Sequence, residues 1–214
     1  MSQKKSLKDI QKKTLEKIVS LSLTEGFYLA GGTALTIRYS HRLSEDFDFF
    51  TFPSHHFNAN VLLEKLRNTT AEIVSISDGT LIFFVEGVKF SFFNYPYPLL
   101  EEPELWKDLG VYIAKDRDIL CMKAIAIAQR GSKKDFFDLW YLMNRNSISL
   151  HNLLEDLKKK YENYNLGIFL KSLTYFEDAE REKNPHIDPF WENIKNFMSL
   201  LIKSEYKLYD HPSP

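Results

Sequence analysis

Two short segments of the chain combine residue types and spacings that could do chemistry. The first places Gly31, Gly32 and Thr33 after a short apolar run, and the second carries Asp46 and Asp48 two residues apart. Side chains on a strand alternate between its two faces, so both carboxylates are expected on one face. Two carboxylates beside a glycine turn can hold a hard divalent cation, and that cation can hold the phosphates of a nucleotide. The pattern therefore predicts a site for Mg²⁺ and a nucleoside triphosphate.

The glycine turn at Gly31 and Gly32 predicts where the phosphates would lie. A glycine turn that leads into a helix presents backbone N–H groups and the positive end of the helix dipole to a phosphate. The hydroxyl of Thr33 could bond a terminal phosphate oxygen. Gly-Gly-Thr also ends strands for steric reasons alone, so by itself the turn is a weak signal. The acidic pair favours function, because like charges on one face of a strand repel and need a compensating cation.

Hydrophobic periodicity predicts an α+β front half followed by a helical back half. Phe47 and Phe49 are expected to face the core of the front half. The change of period near residue 115 predicts two domains, 1–114 and 115–214, which could still share one core. The expected elements are helices over 6–23, 33–39, 58–66, 116–130, 132–144, 149–161, 166–175 and 188–203, and strands over 27–30, 46–52, 72–77, 81–86, 88–94 and 111–114.

Bulk composition narrows the class of protein but not its partners. The chain has 214 residues, with 28 Lys and Arg against 29 Asp and Glu, so any basic surface for a nucleic acid would be a local patch. The single cysteine, Cys121, excludes an internal disulfide and any multi-cysteine metal site. Its apolar neighbours predict a buried thiol. No apolar run approaches a membrane span and the N-terminus lacks the core of a signal peptide, so we expect a cytoplasmic protein with no membrane partner.

The sequence contains ordered blocks at residues 31–35, 41–49, 123–126 with Arg130, and 133–139. These blocks resemble a known family, the nucleotidyltransferase AbiEii/AbiGii toxin family. This family belongs to the minimal nucleotidyltransferase-fold superfamily, which is related in fold to DNA polymerase β and kanamycin nucleotidyltransferase. The resemblance implies a nucleotidyltransferase-fold mixed sheet with flanking helices. Residues 87–93 and 95–99 resemble a subset of the members.

The resemblance implies roles for the front-half residues. Gly32 and Thr33 would hold the triphosphate, beside Gly31 at the same turn, and Asp46 and Asp48 would hold Mg²⁺.

Arg42 could neutralise phosphate charge, since its planar guanidinium presents a fork of donors. The alternative for Arg42 is an ordinary surface arginine.

The resemblance also implies that Lys123 and the pair Asp135 and Asp138 complete the catalytic site from the back half, with Lys123 and Arg130 binding the nucleotide. Helical geometry agrees independently, because Asp135 and Asp138 lie three residues apart and share a face. Lys123 and Arg130 line one side of the preceding helix, so two cations and two carboxylates could converge. The alternative is a salt-bridge cluster that joins two antiparallel helices.

One departure from the superfamily pattern concerns a third carboxylate, which many members add from a neighbouring strand to help hold a second metal ion. The corresponding position on the strand over 88–94 is Ser91, on the same face as Lys89. Either another group, such as Asp135 or Asp138, activates the acceptor instead, or transfer is slow or lost.

Together these features predict an Mg²⁺-dependent nucleotidyltransferase that moves a nucleoside monophosphate from an NTP to an RNA, such as a tRNA end, or to a protein side chain. The resemblance implies the toxin of a type IV-like toxin–antitoxin or abortive-infection system, with a cognate antitoxin as partner. Two alternatives remain open. One is a degenerate nucleotide-binding regulator without transferase activity, and the other is a kinase-like phosphotransferase that uses Lys123 and Asp135.

Overall fold

The computed structural model describes residues 7–210, with side chains up to residue 203. The chain divides into two compact units, with the division between Lys115 and Asp116. The mixed sheet and the helices confirm the expected α+β class. Ser6, the expected start of the first helix, lies outside the described residues.

The front unit contains three helices and seven strands among its described residues. The helices are α1 (Asp9–Ser20), α2 (Gly31–Tyr39) and α3 (Ala59–Leu66), and the strands are β1 (Phe27–Ala30), β2 (Phe47–Thr51), β3 (Glu72–Ser77), β4 (Thr80–Val85), β5 (Val88–Phe93), β6 (Glu104–Trp106) and β7 (Val111–Ile113).

The strands form one mixed sheet in the order β3-β4-β5-β2-β1-β7-β6. Strand β2 lies between β1, to which it is antiparallel, and β5, to which it is parallel. This register places Asp48 of β2 between Ala30 of β1 and Ser91 of β5. The strand with the predicted metal ligand is therefore internal to the sheet, and β1 ends where α2 begins.

Aromatic packing on one face of the sheet fixes the orientation of β2. Phe47 stacks on Phe90 with ring centroids 5.1 Å apart, and Phe49 stacks on Phe92 at 5.0 Å. All four side chains are fully buried, as predicted for Phe47 and Phe49, and burying each contributes about 1.5–3 kcal/mol. A slip of one residue would turn these rings to the other face, so the packing specifies a single register.

The back unit is helical, as expected. It contains α4 (Asp116–Arg130), α5 (Lys133–Arg145), α6 (Leu150–Lys160), α7 (Leu166–Ser172), α8 (Glu177–Arg181), a short 3-10 helix (Asp188–Phe190) and α9 (Trp191–Asp210).

Buried charges inside the back unit are paired with one another. The Lys160 ammonium lies 2.6 Å from Asp118, both fully buried, and Arg117 donates to both carboxylate oxygens of Asp156. Cys121 is buried as predicted, and burial raises the pKa of its thiol, which makes it unsuited to nucleophilic chemistry. None of the described helices is both long and apolar enough to cross a membrane.

Several boundaries differ from the predictions. Strand β2 begins at Phe47 rather than Asp46, because the carbonyl oxygen of Asp46 accepts a hydrogen bond from the Thr33 side chain. Helix α2 already begins at Gly31 rather than Thr33, and α1 ends at Ser20. Strand β6 and helix α8, of three and five residues, were not predicted, since elements this short leave no clear period in a sequence.

Candidate active site

The start of α2 lies directly against a carboxylate of β2. Gly31 has a φ of +70°, a left-handed conformation that favours glycine. A Cβ added at Gly31 would lie 3.2 Å from the Oδ2 atom of Asp48. The absence of a side chain therefore lets Asp48 approach the backbone where the first N–H groups of α2 have no partner within the helix.

Arg42 packs on the second glycine of the turn. A Cβ at Gly32 would overlap the Nη2 atom of Arg42 and would lie 3.0 Å from the Oγ atom of Ser44. Arg42 is buried, and its Nη1 atom donates to the carbonyl of Leu43 at 2.9 Å. The guanidinium is thus held over the first turn of α2, where it adds positive charge to the positive end of the helix dipole. Arg42 is not the surface arginine of the alternative interpretation.

The Thr33 hydroxyl connects α2 to the segment that leads into β2. It is buried, donates to the carbonyl oxygen of Asp46 and lies 2.8 Å from the Oγ atom of Ser44. Its proton is used within the protein, so a direct bond to a phosphate would require a rearrangement. The predicted phosphate contact of Thr33 stays a prediction, while its contact with the Asp46 backbone positions the acidic segment.

The two carboxylates lie beside a lysine on β5. Asp46 and Asp48 are both partly exposed, and the Nζ atom of Lys89 lies 3.6 Å from the Oδ2 atom of Asp46. Ser91, which is buried, is the register partner of Asp48. The sequence indicated that Lys89 and Ser91 share a face but gave Lys89 no role, because pairing with Asp46 depends on the alignment of β2 with β5.

The donor set suits Mg²⁺ held together with a nucleotide. Among the side chains that the structure describes, no group of three or more His, Cys, Asp and Glu residues is arranged to hold a metal ion. Mg²⁺ is commonly bound by one or two carboxylates, with phosphate oxygens and waters completing its coordination. Asp46 and Asp48 could supply the carboxylates.

In the back unit, the predicted residues of α4 and α5 form one connected cluster. The Lys123 ammonium lies 2.8 Å from Asp135 and 2.7 Å from Asp138, and all three side chains are buried. Asp135 also accepts hydrogen bonds from Arg130, at 2.7 and 3.1 Å, and from the Ser132 hydroxyl at 2.7 Å. The cations and carboxylates therefore converge, in the manner of the salt-bridge cluster that was the alternative expectation.

The electrostatics of this cluster make Asp135 a poor proton acceptor. Burial alone would raise the pKa of Asp135, but the charge of Lys123 and the hydrogen bond from Arg130 outweigh it and hold the pKa well below its ordinary value. A carboxylate with a strongly depressed pKa is a weak base near neutral pH. Asp135 is better suited to fixing the ammonium of Lys123 and the exposed guanidinium of Arg130.

Comparison with known proteins identifies the family. Residues 13–206 match the family model described as "Nucleotidyl transferase AbiEii toxin, Type IV TA system". The chain belongs to this family. It is therefore a nucleotidyltransferase, as the sequence blocks implied.

Two relatives extend this result. The AbiEii-family chain is 52% identical over 200 residues to an uncharacterized protein of Aquifex aeolicus strain VF5, covering 93% of this chain and 97% of the relative. It also resembles the crystal structure of a protein from H. pylori described as a nucleotidyltransferase, with a TM-score of 0.52 and 20% identity, over 94% of this chain and 99% of that one. The second likeness supports the nucleotidyltransferase fold.

The Asp135 cluster predicts how the stability of this nucleotidyltransferase depends on pH. The folded pKa of Asp135 is depressed, so the unfolded chain binds its proton more readily, and the stabilisation is present above the unfolded pKa of about 3.9 and is lost as the pH falls below it. We expect Asp135→Asn to lower the free energy of unfolding at pH 7 by about 3 kcal/mol and to weaken its decline in acid. Urea denaturation between pH 3 and 7 measures both.

Glu155→Gln is the matched control, because Glu155 also pairs with a lysine, at 2.8 Å, but its side chain is 43% exposed. Its acid dependence should follow the wild type. An Asp135→Asn profile parallel to the wild type from pH 7 to pH 3 would contradict the assignment.

Proposed function

We propose that the protein transfers a nucleoside monophosphate from an NTP, bound with Mg²⁺ at Asp46 and Asp48, to a hydroxyl of an RNA or a protein. The hydroxyl oxygen attacks the α-phosphorus, the bond from this phosphorus to the oxygen bridging to the β-phosphate breaks, and pyrophosphate leaves. The hydroxyl proton passes to a base or to solvent. Bound Mg²⁺ would offset the charge that develops on the phosphates.

The approach of Asp48 to Gly31 carries this proposal. It brings a metal-binding carboxylate to the helix end where backbone N–H groups and the helix dipole favour phosphate. A carboxylate at a helix start also has a structural use, because it can accept hydrogen bonds from the first N–H groups, so Asp48 supports this proposal together with Asp46 on the same face. The same turn holds the Arg42 guanidinium, whose donors suit a phosphate group.

The remaining predicted site residues have separate proposed roles. Thr33 positions Asp46 through its backbone, and the backbone at Gly31 and Gly32 receives the triphosphate. The expected contribution of Lys123 and Arg130 to nucleotide binding stays a prediction, and we assign Asp135 and Asp138 to holding Lys123 in place. Only Asp138 keeps the further option, expected from the sequence, of accepting a proton.

The family supports a proposal for the biological role, because its model is described as a type IV toxin–antitoxin toxin. We propose that the acceptor is RNA, such as a tRNA end, or a protein side chain, and that the protein is the toxin of a type IV-like toxin–antitoxin or abortive-infection system with a cognate antitoxin as partner. Cytoplasmic location is part of the same proposal.

One observation favours a second function. Ser91 stands beside Asp48 where a third carboxylate would help a two-metal mechanism. A nucleotide-binding regulator without transfer activity would tolerate this serine.

Labelled nucleotides separate these functions. The purified full chain is incubated with Mg²⁺, total cell RNA or lysate, and each NTP labelled at either the α- or the γ-phosphate. We expect α-label to enter an acceptor, and Asp48→Asn to reduce this transfer about 10²–10³-fold because the phosphate charge loses its ion. Asp78→Asn, in the turn between β3 and β4, is the matched control and should transfer normally.

Two results would contradict nucleotidyl transfer, and a third would contradict its metal site. Movement of γ-label would indicate kinase-like chemistry, and saturable NTP binding without transfer would indicate the regulator. Unchanged transfer by Asp48→Asn would contradict the proposed metal site at Asp48.

The contact between Gly32 and Arg42 gives a separate prediction. In Gly32→Ala the new Cβ would displace the Arg42 guanidinium, so we expect NTP affinity to fall about tenfold, the loss of one charge-assisted contact. Isothermal titration calorimetry measures the affinity. In the control, Gly79→Ala, the Cβ would meet Asn94 at an ordinary 3.4 Å, and affinity should not change. Equal affinities for the two variants would show that Arg42 does not contact the nucleotide.

A further inference from the structure

Lys89 is a lysine on the same sheet face as the proposed metal ligands. Asp48 pairs with Ser91 in the parallel register of β2 with β5, so the position two residues before Ser91 falls beside Asp46. The Nζ atom of Lys89 lies 3.6 Å from the Oδ2 atom of Asp46. The Lys89 side chain is 33% exposed and the Asp46 side chain is 44% exposed, so both remain within reach of a ligand.

The backbone of Lys89 is firmly placed. Its neighbours Val88 and Phe90 are buried, and Phe90 stacks against Phe47 of β2. The core therefore fixes where the lysine leaves the sheet, unlike a lysine on a loop. The ammonium therefore reaches the acidic pair from a strand position that the core holds in place.

We propose that Lys89 is a positioning residue that provides a built-in positive charge at Asp46, so that the site takes one Mg²⁺ rather than two. The proposal rests on the nucleotidyl-transfer function above and adds the number of ions and their order of arrival. Lys89 acts through Asp46 and need not touch the nucleotide.

Two features of the sheet support a single ion. A pair of ions about 3.5–4 Å apart needs carboxylates that bridge or flank both, yet the strand beside Asp48 offers the hydroxyl of Ser91. The next position on the same face offers the ammonium of Lys89, which would repel a second dication. The serine at position 91, where a carboxylate could help, and the ammonium of Lys89 thus both disfavour a second ion.

The order of binding follows from the same charges. Without nucleotide, the ammonium of Lys89 already compensates Asp46 and competes with a free divalent ion for that carboxylate. A nucleoside triphosphate brings its own ion, bound by phosphate oxygens, and needs fewer protein ligands. The protein should therefore bind divalent ions weakly alone and strongly as the metal–nucleotide complex.

Mn²⁺ titrations of the full chain, followed by electron paramagnetic resonance, test the proposal without measuring activity. We expect one Mn²⁺ per chain with a non-hydrolysable NTP analogue and weak binding without it. Lys89→Met keeps the aliphatic stem but removes the charge, so it should raise the nucleotide-free affinity for Mn²⁺ about tenfold. Lys89→Gln should act in the same way and serves as the second variant if Lys89→Met folds poorly.

Lys17→Met is the matched control. Lys17 pairs with Glu86 at 3.1 Å, and the two side chains have exposures of 39% and 42%, close to those of Lys89 and Asp46. Its loss should leave Mn²⁺ affinity unchanged. The double variant Lys89→Met with Ser91→Asp should gain a second bound Mn²⁺ in the presence of the analogue.

Two kinds of failure are distinguishable. Two Mn²⁺ in the wild type, or wild-type affinity in both Lys89 variants, would overturn the role of Lys89 while leaving transfer of α-label intact. Absence of both Mn²⁺ and analogue binding in the wild type would overturn this inference together with the proposed function.

Discussion

The burial of two phenylalanines on β2 is the constraint on which the proposed site depends. Phe47 and Phe49 stack on β5 and leave a single register, which turns Asp48 to the opposite face and brings it against Gly31. The hydrophobic core thereby orients the Asp48 carboxylate, although burial of this charged group would not itself be favourable. This aromatic packing does not place Asp46, which precedes the strand. Asp46 is held by the hydrogen bond from the Thr33 hydroxyl to its carbonyl oxygen.

The two units use charge in different ways. The front unit leaves Asp46 and Asp48 partly exposed, where a ligand can replace or join their protein partners. The back unit buries Lys123 between Asp135 and Asp138, where removal of the lysine would take away the cation that the two buried carboxylates share.

The sequence predicted the parts of this structure that depend on local pattern. The alternation around Asp48, the glycine turn and the spacing of Asp135 and Asp138 all follow from strand and helix periods. What it missed depends on pairing between distant segments. The contact of Lys89 with Asp46 requires the β2–β5 register, and the bond from Thr33 to the Asp46 carbonyl requires α2 to pack beside the start of β2.

The most direct test is a crystal structure of the protein with Mg²⁺ and a non-hydrolysable nucleoside triphosphate analogue. Our account predicts the ion on the carboxylate oxygens of Asp46 and Asp48, with the phosphates at the first N–H groups of α2 beside the Arg42 guanidinium. A nucleotide bound elsewhere, with both carboxylates turned away from any ion, would contradict it.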